Sequence, residues 1–107
     1  MMNLINNEIC KRYRIIYEES FISDLNEVTD YITFVLYNPQ ASERLLKKIY
    51  KMIDNLQYFP TLFKQYKETC YRRIVVNNFL IFYLIDESNQ RIHILHFYYG
   101  HKKMFNL

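Results

Sequence analysis

Glycine occurs once in the 107 residues, proline twice and tryptophan not at all. With Gly100 as the single glycine, no Gly-rich loop exists to wrap backbone amides around a phosphate, which excludes nucleotide cradling of that kind. G-x-S-x-G, H-E-x-x-H and C-x-x-C are absent too, so the common hydrolase, zinc-protease and dithiol signatures drop out. Cys10 and Cys70 are the only cysteines; two are too few for a disulfide scaffold, and both are expected to be buried or half-buried free thiols. No apolar run approaches the ~20 residues of a membrane span. Met1 to Ile9 lacks the basic-then-apolar order of a secretory signal. A cytoplasmic domain with no membrane partner is the resulting expectation.

What remains is rich in apolar surface. Half the residues are hydrophobic and 18% are aromatic, enough for one core and incompatible with a disordered tail or linker. The whole chain, 1–107, reads as a single domain, with 1–9 as a loosely ordered N-terminal extension. The net charge of +3 hides a segregation. Ile15 to Glu43 holds six acids and no lysine or arginine, while all 14 bases lie elsewhere with the remaining five acids. A field with two poles follows, and its basic pole suits an acidic partner, either nucleic acid or an acidic protein segment.

The periodicity changes twice along the chain. Lys11 to Glu18 alternates β-formers and predicts a strand. Ser20 is placed to cap a helix whose core face is Phe21, Leu25, Val28, Ile32 and Val35. Asn38-Pro39 ends that helix and opens another, because proline disfavours α conformation in the residue before it but suits the first helical position. The second helix turns Ala41, Leu45, Ile49, Met52, Ile53 and Leu56 to one side and Arg44, Lys47, Lys48 and Lys51 to another. After a loop, Thr69–Val76, Phe79–Ile85 and Arg91–Tyr98 read as strands with period two, joined by the Asn77-Asn78 and Asp86–Gln90 turns. Phe79–Ile85 is apolar on both faces and predicts a strand covered on both sides. The order β-α-α-β-β-β is class α+β, a helical hairpin on a small, mainly antiparallel sheet.

His93 and His96, three apart on a strand, are expected on opposite faces, which gives no metal site. His101 sits among cations in Gly100-His101-Lys102-Lys103, which reads either as a solvated basic tail or as a histidine whose protonation is disfavoured, leaving a neutral base. Arg72 and Arg73 are adjacent, so one faces the open side of the sheet and the other the helices, where an acid of the first helix is the expected partner. Lys64, Lys67 and the tail lysines join them, with Tyr66, Tyr71, Tyr98 and Tyr99 interleaved. Any catalysis would have to be acid–base and electrostatic.

Four pieces, in order, carry a resemblance. They are Asn38-Pro39-x-Ala41; Leu45-Leu46 followed by Ile49, Ile53, Leu56 and Phe59-Pro60; Tyr71 through Tyr83; and Gly100-His101-Lys102-Lys103. Together they resemble the RelE/ParE superfamily of toxins from type II toxin–antitoxin (plasmid-stabilisation) modules. The resemblance implies a toxin without cofactor or metal, held inactive by a cognate antitoxin. ParE-like members act on DNA gyrase by binding, and RelE-like members cut mRNA on the ribosome. RelE-type nucleases carry an arginine three residues before the tyrosine matching Tyr83, where this chain has Leu80. No tyrosine follows Tyr99 to match the C-terminal catalytic tyrosine of RelE. A leucine donates no hydrogen bond to a developing phosphorane charge, so the expectation leans to the ParE-like reading. Lys64, Lys67, Arg72, Arg73, Tyr98, Tyr99, Lys102 and Lys103 are then the candidate target- or antitoxin-binding residues; Arg72, Arg73, His101 and Lys102 are the catalytic candidates if the chain is the ribosome-dependent nuclease.

Overall fold

Asn38 and Pro39 organise the middle of the chain. In the computed structural model, which describes residues 12–100, the Asn38 side chain accepts a hydrogen bond from the Ala41 amide at 3.1 Å and Pro39 occupies the first helical position. Such a cap is worth about 1 kcal/mol. The helix it starts, α2, runs Pro39–Asp54 and ends in a 3-10 turn at Asn55–Gln57; Leu45, Ile49, Ile53 and Leu56 are all buried along it.

The preceding helix, α1, spans Glu19–Asp30 and departs from expectation at both ends. Ser20 is not its cap. The Glu18 amide donates to the Ile94 carbonyl, so the helix begins where the first strand's pairing stops, and the Ser20 hydroxyl donates to the Leu95 carbonyl. At the other end the chain widens into a π turn, Tyr31–Val35, with the Leu36 amide reaching back to Tyr31 at 3.1 Å. The extra residue in that turn shifts the helical phase, and Val35, expected on the core face, is 56% exposed.

Four strands form one sheet: β1 (Arg14–Tyr17), β2 (Arg72–Val76), β3 (Phe79–Asp86) and β4 (Arg91–Tyr99), in the order β1-β4-β3-β2. β1 lies parallel to β4, and the other pairings are antiparallel. Asn77 takes φ 53° in the first hairpin turn, as a short polar side chain allows. In the second turn Asn89 bonds the Asp86 carboxylate through its amide and side chain, and those bonds hold Asp86 below the usual carboxylate range. β2 starts three residues later than the expected Thr69. The Thr69 hydroxyl donates to the Tyr66 carbonyl and accepts from the Tyr71 amide, folding 66–71 into a local turn in place of a strand. Cys70 lies on that turn and is exposed, contrary to the expectation that it is buried.

The core lies between helices and sheet, where Phe21 and Leu25 of α1 and Ile49 and Ile53 of α2 meet Ile74, Ile81, Tyr83, Ile92, Ile94 and Phe97. Ile81, Phe82 and Tyr83 are consecutive and all buried, Ile81 and Tyr83 towards the helices and Phe82 on the other face of the sheet. Burial also pushes the half-buried Tyr17 phenol up to about 12, with Asp54 and Tyr50 adding to the shift. No helix among the described residues is long and apolar enough to cross a membrane. Cys10, His101, Lys102, Lys103 and the expected extension over 1–9 lie outside the described residues.

Candidate binding face

Paired residues in a sheet share a face, so the register sorts the side chains. Ile74, Ile81, Tyr83, Ile94 and Phe97 point to the helices, while Arg73, Val75, Leu80, Phe82, His96 and Tyr98 belong to the opposite, open face. A bulge is responsible for part of that set. Phe82 pairs with His96 and Tyr83 with Ile94, which leaves Leu95 without a partner and flips the alternation of β4. His93, opposite Leu84, and His96, opposite Phe82, therefore share the open face, where plain alternation had set them on opposite sides. They do not form one site. His93 Nδ1 lies 2.7 Å from a Glu18 carboxylate oxygen, and His96 stacks on Tyr98 at 5.3 Å between ring centroids.

The open face carries a run of rings with cations at one end. Tyr66, from the loop before β2, sets its ring edge-on to Phe82 at 5.1 Å, and Phe82 meets Tyr98 at 5.9 Å. The Arg73 guanidinium and the Lys67 ammonium each lie 5.1 Å from the Tyr66 ring centre. Cations near an aromatic face gain about 0.5–1 kcal/mol at exposed sites. Both bases are exposed, so their remaining donors point to solvent. Half-burial raises the Tyr98 phenol above its ordinary value, and the Asp24 carboxylate reinforces the shift. A surface of this composition offers charged donors and ring faces, the chemistry that carboxylates, backbone carbonyls and flat groups match.

Arg72 and Tyr99 do not join it. Arg72 pairs with Tyr83 on the helix side, and its Nη1 donates to the Phe63 carbonyl at 2.7 Å. The expected acidic partner is absent because α1 packs along β4, two strands away from β2. Tyr83, beside Arg72, donates its hydroxyl to the Pro60 carbonyl at 2.8 Å; burial raises its pKa, while the Phe63 backbone and the Arg72 charge pull the other way. Tyr99 lies over Phe79 at 5.4 Å, on the face away from Tyr98. Lys64 is exposed next to the cluster, and its carbonyl accepts the Arg73 amide at 3.2 Å. The bases do not gather into the single pole that their order in the chain implied: Arg14 pairs with Arg91 at the other edge of the sheet, and four more bases follow α2.

Leu80 faces outward between Val75 and Tyr98 on neighbouring strands. Gly100 packs over it. The Gly100 amide donates to the Asn78 carbonyl at 2.7 Å, and a β-carbon at position 100 would stand 3.2 Å from Leu80 Cγ and 3.3 Å from that carbonyl oxygen. Phe82 and His96 are members of the face that strand periodicity alone missed. The signal was present in the spacing of Ile92, Ile94 and Phe97, two residues and then three, which marks an extra residue in the strand. Among the described residues no group of three His, Cys, Asp or Glu side chains converges as metal ligands would.

Residues 15–104 match the family model described as ParE toxin of type II toxin-antitoxin system, parDE. No curated protein matches the chain at a significant level. Among solved structures the fold is similar to a chain of the chromosomal ParDE system from P. aeruginosa, at 15% identity and a TM-score of 0.68 over 81% of this chain and 95% of that one. It is similar as well to a chain of the archaeal RelE-RelB complex from Pyrococcus horikoshii, at 16% identity and 0.62 over 84% and 97%. A chain of the RelBE2 toxin-antitoxin complex of Mycobacterium tuberculosis gives 13% identity and 0.58 over 82% and 98%. At these identities the structural likeness speaks for the fold, and the family match covers most of the chain.

Proposed function

Because the chain belongs to the ParE toxin family of type II toxin–antitoxin systems, we propose that it arrests growth by binding DNA gyrase, as one toxin domain over the whole chain. A cognate antitoxin keeps it inactive by lying over the open face. The observation that carries this reading is Leu80, an aliphatic side chain set between Val75 and Tyr98 where the nuclease branch has an arginine. A missing donor to a developing oxyanion typically costs ~10²-fold or more in rate. Arg73, the arginine that shares this face, lies over the Tyr66 ring, and Arg72 spends a donor on the Phe63 carbonyl on the other side of the sheet.

The antitoxin follows from the chemistry of the face. Arg73 and Lys67 over Tyr66, continued by Phe82 and Tyr98, suit an acidic segment with apolar side chains that orders on binding. Lys102 and Lys103, which follow Gly100-His101 in the sequence, are assigned to the same proposed contact by their charge. A supercoiling assay with purified toxin, with and without the protein encoded beside it, tests both parts. Expected is loss of supercoiling by the toxin alone and recovery when the neighbour is added. Undiminished gyrase activity at large toxin excess, with message cut on ribosomes in toxin-arrested cells, would return the chain to the RelE-like branch.

A further inference from the structure

The far end of the helical hairpin is built unlike the rest of the molecule. Between α1 and α2, the π turn and the two residues after it expose Tyr31, Phe34, Val35, Leu36 and Tyr37, with Phe34 at 68% and Tyr37 at 84%. Tyr37 holds φ 53°, a conformation that side chains other than Gly, Asn and Asp rarely take. The turn packs against α2, so these side chains are presented from an ordered element. An apolar patch of this kind marks an interaction surface.

The helices on either side of the tip carry opposite charge on their outer surfaces. A shallow groove along α1 is lined by Glu19, Glu27 and Asp30 together with Ile22, Ser23 and Asn26, and holds no base. On α2, Arg44, Lys47 and Lys51 are exposed, while Lys48 is turned aside to the Asn77 side chain at 2.9 Å. Lys47 has one carboxylate nearby, Glu43 of its own helix at 3.5 Å, with both side chains well exposed. None of the α1 carboxylates named here pairs with a base of α2 within the chain.

We infer that the hairpin tip is the interface for a second copy of this chain, related by a two-fold axis that places the acidic outer side of each α1 along the basic outer side of its partner's α2. A two-fold interface must be self-complementary, each residue meeting one whose counterpart meets it in return. This surface meets that condition: apolar tip on apolar tip, acid on base, twice. The lengths agree as well. At 1.5 Å per residue, Arg44 to Lys51 covers roughly 10 Å and Glu19 to Asp30 roughly 17 Å, so the bases of one copy fit within the groove of the other. An acidic antitoxin is repelled from that same groove, which separates this surface from the open face of the sheet. The inference uses the hairpin alone and stands whatever the toxin's target is.

Sedimentation equilibrium of the full chain at ~10–100 µM is the test. A dimer is expected, weakened by salt because its flanks are charged. Replacing Phe34→Glu together with Tyr37→Glu should give a monomer with unchanged circular dichroism. Two further variants, Glu27→Lys with Asp30→Lys and Arg44→Glu with Lys47→Glu, should each be monomeric alone and dimerise when mixed, since both flanking contacts are then restored. A monomeric wild-type chain, a dimer that survives the tip substitutions, or a mixture that stays monomeric would each overturn the proposal.

Discussion

The two ends of the helical hairpin follow the same helical pattern and meet opposite fates. Near the sheet, Phe21, Leu25, Ile49 and Ile53 lie at 0–2% exposure against the strands. At the tip, Tyr31, Phe34 and Leu36 are as apolar and stay in water, because no strand reaches them. Apolar periodicity reports that a face wants a partner; it does not say that the partner belongs to the same chain. The sheet end is where stability resides, and the tip is where association is expected.

That contrast is sharpest in mutational stability. Ile53→Ala removes a fully buried side chain at the centre of the core and should cost about 2–5 kcal/mol in denaturant unfolding. A smaller effect, confined to alkaline conditions, belongs to a tyrosine packed at the sheet end. The Tyr17 phenol, with a folded pKa of about 12, is raised above its ordinary 10.0 by burial, so the stability it contributes is complete below pH 10 and lost as pH rises from there through the folded value. Tyr17→Phe should flatten that part of a pH–stability profile. Smallest is Phe34→Ala, expected within about 0.5 kcal/mol of wild type when measured on the monomer. A loss comparable to that of Ile53→Ala would erase the distinction between the ends.

Much of the fold was legible because it rests on local chemistry. Asn38-Pro39, the spacing of Leu45, Ile49, Ile53 and Leu56, the Asn77-Asn78 turn and the double-sided apolar run of β3 all appear where the residues implied. The misreadings share another origin. Glu18 reaching His93, the Arg72 guanidinium on the Phe63 carbonyl, and the Ser20 hydroxyl on the Leu95 carbonyl are contacts made by the assembled sheet. No window of sequence contains them. The bulge at Leu95 lies between: its trace is the uneven spacing of Ile92, Ile94 and Phe97, but only the register shows that it carries His93 and His96 to one face. For the candidate face, Arg73, Lys67 and Tyr98 were legible by residue type, and the ring order that joins them through Tyr66 and Phe82 was not.

The parallel pairing of β1 with β4 has a consequence for synthesis. Arg14 meets Arg91 and Tyr17 meets Ile94, so β1 waits, with Ile15 and Tyr17 lacking their neighbours, until β4 has emerged from the ribosome. Contacts this distant along the chain form late and slow folding. A translating cell is therefore spared the finished poison while the message is still being read, and an antitoxin already present has that interval in which to arrive.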